Sequence, residues 1–143
     1  MPLDKSELRG LLPHAGAMCL LDAVFEWDET RIVALATSHR LSDNPLRREE
    51  GLGAVCGIEY AAQAVAIHGG LLARERGSLV KPGYLAAIRD LELAVDYLDS
   101  VESALVIRAE MLIGNETSLL YAFAVESNGS TLLAGRVSVF LTA

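Results

Sequence analysis

Residues 53–74 read GAVCGIEYAAQAVAIHGGLLAR, and this stretch decides the fold. It contains no proline, and its apolar residues recur at the helical spacings of three, four and seven: Val55, Ile58, Ala62, Val65 and Leu72. Because alanines keep this helix slim and apolar residues cover most of its circumference, we expect it to be buried rather than to lie on the surface. Gly69 and Gly70 weaken its later turns, which favours an end before Arg74.

Two predicted strands precede the helix. Residues 18–27 and 31–38 are rich in β-branched and other apolar side chains and are separated by a polar turn. A short helix at 6–12, with Ser6 as its N-cap and Pro13 at its end, is predicted before them.

Four predicted strands follow the helix and are joined by short connections: residues 84–95, 104–113, 118–126 and 131–141. Gly114-Asn115 is a hairpin signal, and Asn128-Gly129 predicts a type I′ turn because both residues tolerate positive φ. Short connections make these strands antiparallel. Together the elements predict one α+β domain over residues 1–143, a hot-dog fold in which a long central helix is wrapped by a curled antiparallel sheet of about six strands.

The composition narrows the functional classes. The chain has 143 residues, 52% of them hydrophobic, and a mean hydropathy of +0.33, which predicts a large core, an apolar tunnel or a buried subunit interface. No charge-free apolar run is long enough for a membrane span, and the polar N-terminus lacks a signal-peptide core, so we expect a cytoplasmic protein. A net charge of −7 argues against nucleic-acid binding. Cys19 and Cys56 fit no metal spacing and are predicted to be buried, reduced thiols, with no metal bound.

Three motifs carry a resemblance to a known family. Residues 12–22 read LPHAGAMCLLD, residues 57–64 read GIEYAAQA, and residues 83–90 read GYLAAIRD. In this order and spacing they resemble the bacterial β-hydroxyacyl-ACP dehydratases, which have Leu-Pro-His before an apolar strand and a helical glutamate followed four residues later by glutamine. The subgroup that looks most similar is the dehydratase-like proteins encoded in aryl-polyene gene clusters.

The loop before the helix departs from that family. The well-studied dehydratases place a catalytic histidine there, whereas residues 44–53 read NPLRREEGLG and contain none. Elimination of water from a β-hydroxyacyl thioester needs a base for the α-proton, an acid for the leaving hydroxyl and donors for the thioester carbonyl. The resemblance implies that Glu59 is the acid, and we expect its carboxyl to be buried among alanines and held in its protonated form. The alternative is a glutamate near water, paired with an arginine.

Substrate contacts are expected around the start of the helix. Gly53 and Val55 lie there, where free N–H groups and the helix dipole favour negative charge on a thioester carbonyl. Gln63 follows Glu59 by one turn on the same face and is expected to orient it and to contact substrate. Tyr84 is expected either to line the acyl tunnel, as its strand does in the family, or to belong to the core.

Three histidines are candidates for the base. His14 belongs to the Leu-Pro-His motif, whose segment runs close to the acyl tunnel in the family; the alternative is a histidine that fixes the turn. His39 ends the second predicted strand and either folds back toward the helix start or lies at the surface. His68 lies nine residues after the candidate acid, more than two turns away, and is expected to be a packing or surface residue. Asp22 and Asp90 are expected to be structural.

The resemblance implies a substrate carried on acyl-carrier protein or CoA, whose phosphopantetheine is the only cofactor expected. Because acyl-carrier protein is acidic, the basic residues that flank the helix in sequence are expected either to form a patch at a tunnel mouth or to be scattered in solvent: Arg40, Arg47, Arg48, Arg74, Arg76 and Lys81. We expect a lyase that forms a homodimer with its two sheets edge to edge. Two alternatives stay open: a non-catalytic or partner-dependent subunit of a heteromer with another hot-dog protein, and an acyl thioesterase.

Overall fold

The computed structural model describes residues 2–11, 19–78 and 83–142, the side chain of Arg9 excepted. In this part of the chain the helices and strands have the following bounds: α1 Lys5–Arg9, β1 Ala23–Trp27, β2 Arg31–Ala36, α2 Gly57–Glu75, β3 Gly83–Leu93, β4 Leu105–Gly114, β5 Ser118–Ser127 and β6 Ser130–Leu141. Two short 3₁₀ turns, Ser38–Arg40 and Ala54–Cys56, precede α2. The predicted order of elements is confirmed.

The six strands form one antiparallel sheet in the order β1-β2-β4-β5-β6-β3, so β1 and β3 are its edges. The turn between β5 and β6 has φ angles of 52° at Asn128 and 83° at Gly129, as a type I′ turn requires. One long helix against a six-stranded antiparallel sheet confirms the predicted hot-dog fold.

α2 is the central helix, and its small residues bring it close to the sheet. It packs on β2, β4 and β5, and the side chains that face the sheet are buried: Tyr60, Ala61, Ala64, Ile67, His68 and Leu71. The stretch Ala54–Glu75 is long and apolar enough to cross a membrane by length and composition alone. Its burial against the sheet of its own chain identifies it instead as the core helix of a soluble fold.

The boundaries of α2 differ from the prediction at both ends. The α-helix begins at Gly57, after a 3₁₀ turn, instead of at Gly53. The predicted end of α2 before Arg74 is wrong, because the helix continues to Glu75. Packing explains the glycine itself: a Cβ on Gly70 would lie 3.1 Å from Leu11 Cδ2, so a glycine inside the helix lets that leucine approach the backbone.

The first helix is also placed differently. Its N-cap is Asp4 rather than Ser6, because Asp4 Oδ1 accepts a hydrogen bond from the Glu7 N–H at 3.0 Å. In return Glu7 Oε1 accepts from the Asp4 N–H at 3.3 Å, which completes a capping box. The predicted end at Pro13 is wrong, because the helix ends at Arg9 with Gly10 as its C-cap; Pro13 itself lies outside the described residues.

The first strand is shorter than predicted. β1 begins at Ala23 instead of residue 18. The N–H and C=O groups of Leu20 bond to the side chains of Gln63 and Ser38, so this part of the chain cannot use them in a strand ladder. Asp22, at the end of this part, accepts hydrogen bonds from the residue that follows β2, which agrees with its expected structural role.

Candidate active site

Glu59 lies in the first turn of α2, and its side chain is exposed. The expected burial of this carboxyl is therefore wrong for the single chain. Glu59 begins the helix face that points away from the sheet, whose residues are exposed or half-buried: Glu59, Ala62, Gln63, Ala66, Gly69 and Ala73. Within the described residues Glu59 forms no ion pair, so the alternative of a glutamate paired with an arginine is not found either.

The start of α2 is closely packed on one side and open on the other. A Cβ on Gly57 would lie 2.6 Å from Leu133 Cδ2, so glycine allows the helix to approach β6. The Ala54 N–H donates to the Asp96 C=O at 2.9 Å, which fixes the 3₁₀ turn to the chain after β3. By contrast, no described atom beyond Gly53 and its two chain neighbours lies within 4 Å of a Cβ placed on Gly53. The fold thus leaves space beside Gly53, one of the positions expected to contact substrate.

Two apolar side chains border this open side. Val55, expected to contact substrate, is 53% exposed, and Tyr97 is 40% exposed. Tyr97 also forms an isolated β-bridge with Gly53, which brings it to the start of the helix. Exposed apolar side chains near a carboxylate suit either an acyl group or the surface of a second chain.

Cys56 ends the 3₁₀ turn and is half-buried, whereas Cys19 is buried as predicted. Burial raises the pKa of the Cys56 thiol; the positive charge of Arg48 opposes this rise, and the negative charge of Glu59 adds to it. The thiol is therefore protonated at neutral pH and lacks the thiolate character of a nucleophile.

Gln63 bonds to the chain that enters β1. Its Oε1 accepts a hydrogen bond from the Leu20 N–H at 2.8 Å. The C=O group of Leu20 is bonded too: it accepts a hydrogen bond from Ser38 Oγ at 2.8 Å. Side chains of two different elements therefore hold one peptide segment. The expected orientation of Glu59 by Gln63 stays a prediction.

A buried polar network surrounds this contact. Ser38 Oγ lies 2.7 Å from Tyr60 Oη, and Asn44 Nδ2 donates to Tyr60 Oη at 3.1 Å and to the Ser38 C=O at 2.9 Å. Because the Ser38 hydroxyl donates to Leu20, it accepts from the Tyr60 hydroxyl, which fixes the direction of every bond. Burial raises the pKa of Tyr60 and the bonds to Ser38 and Asn44 oppose this rise, so the phenol is neutral.

The sequence reasoning missed Ser38, Asn44 and Tyr60. These residues are 6 to 22 positions apart in sequence, and no local period connects them. The available signal was a turn motif at Asn44, which also accepts a hydrogen bond from the Leu46 N–H at 2.8 Å, as such turns do.

His39 is fully buried in the 3₁₀ turn after β2, so the alternative of a surface histidine is wrong. Its Nε2 lies 2.9 Å from the Val101 C=O, which only accepts, so Nε2 carries a proton. Nδ1 has no hydrogen-bond partner among the described residues. Burial lowers the pKa of His39, against the opposing effect of backbone carbonyls. No hydrogen bond or ion pair joins His39 to Glu59 in the described part of the chain.

His68 has the packing role expected for it. It is fully buried, with Nε2 2.7 Å from the Asp28 C=O and Nδ1 2.6 Å from Tyr121 Oη. Burial lowers the pKa of His68, and the bond to the Asp28 backbone opposes that effect. Both ring nitrogens are engaged inside the core, which leaves none for a substrate.

His14 lies outside the described residues. The residues on either side of its segment do lie against α2: Leu11 beside Gly70, and Leu20 beside Gln63. The described residues on both sides of the segment that carries His14 therefore contact the helix that carries the candidate acid.

Tyr84 lies far from Glu59 within the chain. Its ring meets Phe140 of β6 edge-on, with centroids 6.0 Å apart, and it is 56% exposed, so the core alternative is wrong. At the other end of β3, Leu93 pairs with Leu133, which packs on the start of α2. The nine residue-to-residue steps of strand from Tyr84 to Leu93 span about 30 Å. Tyr84 can therefore approach a site at Glu59 only if that site belongs to another chain.

The expected single basic patch is wrong for the described residues. Arg47 forms an ion pair of 3.1 Å with a carboxylate of the loop before β4, and Arg48 lies near the start of α2. Arg74 and Arg76 lie at the opposite end of this 19-residue helix, about 28 Å away. Lys81 lies outside the described residues.

Comparison with known sequences gives one family. Residues 6–143 match the family described as ApeP-like, ApeP dehydratase, which covers nearly the whole chain. Among curated protein sequences no significant match was found.

Several solved structures share the fold. The dehydratase heterocomplex ApeI:P from Xenorhabdus doucetiae is similar with a TM-score of 0.86 and 24% identity, over 95% of this chain and 91% of that chain. A mutant of thioesterase PA1618 from Pseudomonas aeruginosa follows with a TM-score of 0.69 and 10% identity, over 98% and 94%. Zebra fish thioesterase superfamily member 2 has a TM-score of 0.67 and 15% identity, over 96% and 95%. At these identities the likeness shows the hot-dog fold alone.

Proposed function

The chain belongs to the ApeP-like dehydratase family, as its motifs indicated, and from this premise we propose that it eliminates water from a β-hydroxyacyl thioester carried by acyl-carrier protein. The observation that carries the proposal is the position of Glu59. Its carboxyl group, which acts in its protonated form in this proposal, is exposed in the first turn of the central helix, beside the open space at Gly53. A group that must give a proton to a substrate needs this access.

The reaction needs one proton donor and one proton acceptor. A base removes the α-proton, and the electron pair of that C–H bond becomes the new carbon–carbon double bond. The bond from the β-carbon to its hydroxyl breaks as Glu59 gives that oxygen a proton, so water leaves. Transfer of the α-proton from the base to Glu59 restores both groups, so no proton is consumed overall.

The thioester carbonyl gains negative charge when the α-proton leaves. The start of α2 suits this charge because the helix dipole is positive at that end. The N–H groups of Ala54, Cys56 and Gly57 already donate to backbone C=O groups, so the dipole carries this assignment. The 3₁₀ turn Ala54–Cys56 and α2 have no side-chain cap at their starts. We assign the carbonyl to this end of the helix, with Gly53 and Val55 beside the acyl group.

We assign the base to His14. His68 is excluded by its two hydrogen bonds within the core, and His39 is less suited because its ring is fully buried and forms no hydrogen bond or ion pair with Glu59 among the described residues. Six residues after His14 in sequence, Leu20 is held by Gln63, on the same face of α2 as Glu59.

A second candidate function is a partner-dependent subunit, which contributes Glu59 to a site completed by another hot-dog chain. The exposed edge of the sheet favours it. β3 pairs only with β6 among the described strands, and along this edge large apolar side chains are exposed: Tyr84, Leu85, Ile88, Leu93 and Phe140. Such an edge invites pairing with a second chain. One structural neighbour is described as a dehydratase heterocomplex, which supports a hot-dog partner for this chain too.

No cofactor takes part in this proposal beyond the phosphopantetheine that carries the acyl group, since acid–base chemistry suffices for the elimination. We place the reaction in the cytoplasm, with acyl-carrier protein as the carrier and CoA as the alternative carrier. Thioester hydrolysis is the remaining alternative, because the thioesterases among the structural neighbours share the fold.

The test uses a β-hydroxyacyl group loaded on acyl-carrier protein, incubated with the chain alone and with a second hot-dog chain as candidate partner. Mass spectrometry distinguishes loss of water from release of the acyl group. We expect Glu59→Gln to reduce water elimination by about 100-fold or more. Glu75→Gln, an exposed glutamate at the other end of α2, is the matched control and should retain full activity.

Each outcome has a distinct meaning. Activity of the chain alone supports the complete enzyme, whereas activity only in the mixture supports the partner-dependent subunit. Wild-type turnover in the Glu59→Gln variant, or release of a free acid instead of water, contradicts the proposal.

A further inference from the structure

The carboxylate of Asp99 joins the loop before α2 to the loop after β3. Its Oδ1 accepts a hydrogen bond from the Leu52 N–H at 3.0 Å, and its Oδ2 accepts one from Arg47 Nη2 at 3.1 Å. The side chains of Arg47 and Asp99 are only 30% and 18% exposed, so water and salt screen this ion pair less than a pair at the open surface. One carboxylate therefore bonds to two separate points of residues 47–52.

The backbone of residues 48–51 is shaped to receive this carboxylate. Arg48 and Gly51 exchange two backbone hydrogen bonds of 3.0 Å each, which close a tight turn. Gly51 has a φ of 126°, a conformation in which glycine is strongly favoured. A Cβ on Gly51 would lie 2.9 Å from both carboxylate oxygens of Asp99. Glycine at this position thus allows the contact with Asp99 as well as the turn.

The same two loops pair beside the open space at the start of α2. Two backbone hydrogen bonds connect them, from the Leu98 N–H to the Leu52 C=O at 2.7 Å and from the Ala54 N–H to the Asp96 C=O at 2.9 Å. Between these bonds, Gly53 and Tyr97 lie directly opposite each other in an antiparallel bridge. In such a pair both Cβ positions lie on the same side, about 5 Å apart. Because Gly53 has no side chain and Tyr97 is 40% exposed, the open space has Gly53 on one side and Tyr97 on the other.

We propose that Asp99 is a positioning residue for the acyl group: by keeping Gly53 and Tyr97 opposite each other, it sets the width of the space at the start of α2. The inference rests on the proposed function, in which the acyl group lies beside Gly53 and Val55. Asp99 bonds to the residue just before Gly53 and follows Tyr97 by two residues, so it restrains both sides of the space. Its loss should therefore weaken binding of the acyl group and leave proton transfer by Glu59 intact.

Three variants test this role in the assembly that eliminates water. Asp99→Ala removes both contacts, Asp99→Asn keeps an oxygen that can accept from the Leu52 N–H, and Asp28→Ala is the matched control. The Asp28 carboxylate also accepts backbone N–H bonds and pairs with an arginine, but it does so in the turn between β1 and β2.

The split between KM and kcat separates positioning from stability. In Asp99→Ala we expect KM for the β-hydroxyacyl-carrier substrate to rise about 10-fold, with kcat within about threefold of the wild type, because ground-state binding is what is lost. Asp99→Asn should recover part of KM, and Asp28→Ala should change neither constant. A variant that is only less stable would contain less active protein, which lowers the apparent kcat and leaves KM unchanged.

A second readout does not depend on turnover. A saturated acyl-pantetheine thioester has no β-hydroxyl to lose, so calorimetry can measure its Kd without elimination. We expect Asp99→Ala to raise this Kd about 10-fold and Asp28→Ala to leave it unchanged. Wild-type KM and Kd in Asp99→Ala would overturn the inference, as would a wild-type assembly that binds no thioester. If the wild type binds the thioester but eliminates no water from the β-hydroxyacyl substrate, the proposed function fails, and the comparison of Kd values alone decides the role of Asp99.

Discussion

His68 Nδ1 lies 2.6 Å from Tyr121 Oη, inside the core between α2 and β5. The two rings meet edge-on at 87°, with centroids 5.6 Å apart. On the other side of the imidazole, Nε2 lies 2.7 Å from the Asp28 C=O in the turn between β1 and β2. A carbonyl only accepts, so Nε2 carries the proton and the Tyr121 hydroxyl donates to Nδ1. The pair ties the central helix to two parts of the sheet.

The first prediction concerns this pair. Tyr121→Phe removes the donor and leaves Nδ1 of a fully buried imidazole without a partner, which should lower the free energy of unfolding by about 1–3 kcal/mol. Urea denaturation measures the loss. Tyr84→Phe is the control, because Tyr84 is 56% exposed and its variant should stay within about 0.5 kcal/mol of the wild type. Equal stabilities for the two variants would show that the buried bond contributes nothing.

The second prediction concerns pH. Burial lowers the pKa of both His39 and His68 below the ordinary value of 6.5. The unfolded chain therefore binds protons at a higher pH than the folded chain, so the free energy of unfolding is at its maximum above 6.5 and falls as the pH drops below it. Each histidine contributes a slope of up to about 1.4 kcal/mol per pH unit.

Urea denaturation at about pH 7.5 and about pH 5.5 checks this sign. The double variant His39→Gln/His68→Gln should show a smaller difference between the two pH values than the wild type, whatever its absolute stability. A wild-type protein that is equally stable at both values, or more stable at the lower one, would contradict the assignment of these buried imidazoles as neutral.

The third prediction uses two glycines of the same helix. Alanine at Gly57 would place its Cβ 2.6 Å from Leu133 Cδ2, and that leucine is itself buried, so overpacking should cost about 1–3 kcal/mol. Alanine at Gly69 meets no described atom within 4 Å and gains helix propensity, so it should stabilise by up to about 1 kcal/mol. Thermal unfolding of both variants measures their stabilities, and Gly57→Ala should unfold at the lower temperature. A Gly57→Ala variant more stable than Gly69→Ala would show that the start of α2 is loosely packed.

Much of this fold could be predicted because its signals are local. The spacing of apolar residues along α2 and the alternation in the later strands each need only a short window of sequence. The Asn128-Gly129 turn needs only two residues that tolerate positive φ. The errors arose where distant contacts override local preference, as at Gly70, where the approach of Leu11 explains a glycine inside the helix.

The candidate site was less predictable for the same reason. The period of α2 predicted a buried helix, yet it could not show which face the sheet leaves uncovered, and Glu59 lies on that face. The bonds of Leu20 to Gln63 and Ser38 join residues that only the folded chain brings together. Glycine and proline signals mark turns, but they carry no information about such side-chain-to-backbone contacts.

The edge strand provides the last prediction. Leu85 and Ile88 are 38% and 37% exposed on β3, where they pair with Val139 and Val137 of β6 on the helix side of the sheet. If this edge meets a second hot-dog chain, the double variant Leu85→Glu/Ile88→Glu should weaken association at least about 10-fold, because it buries unpaired charge in the interface. Sedimentation velocity, with and without the second chain, measures this. Ile113→Glu is the control, since Ile113 is 62% exposed on β4, away from the edge, and should leave association unchanged. Unaltered sedimentation of the double variant would place the subunit contact on another surface.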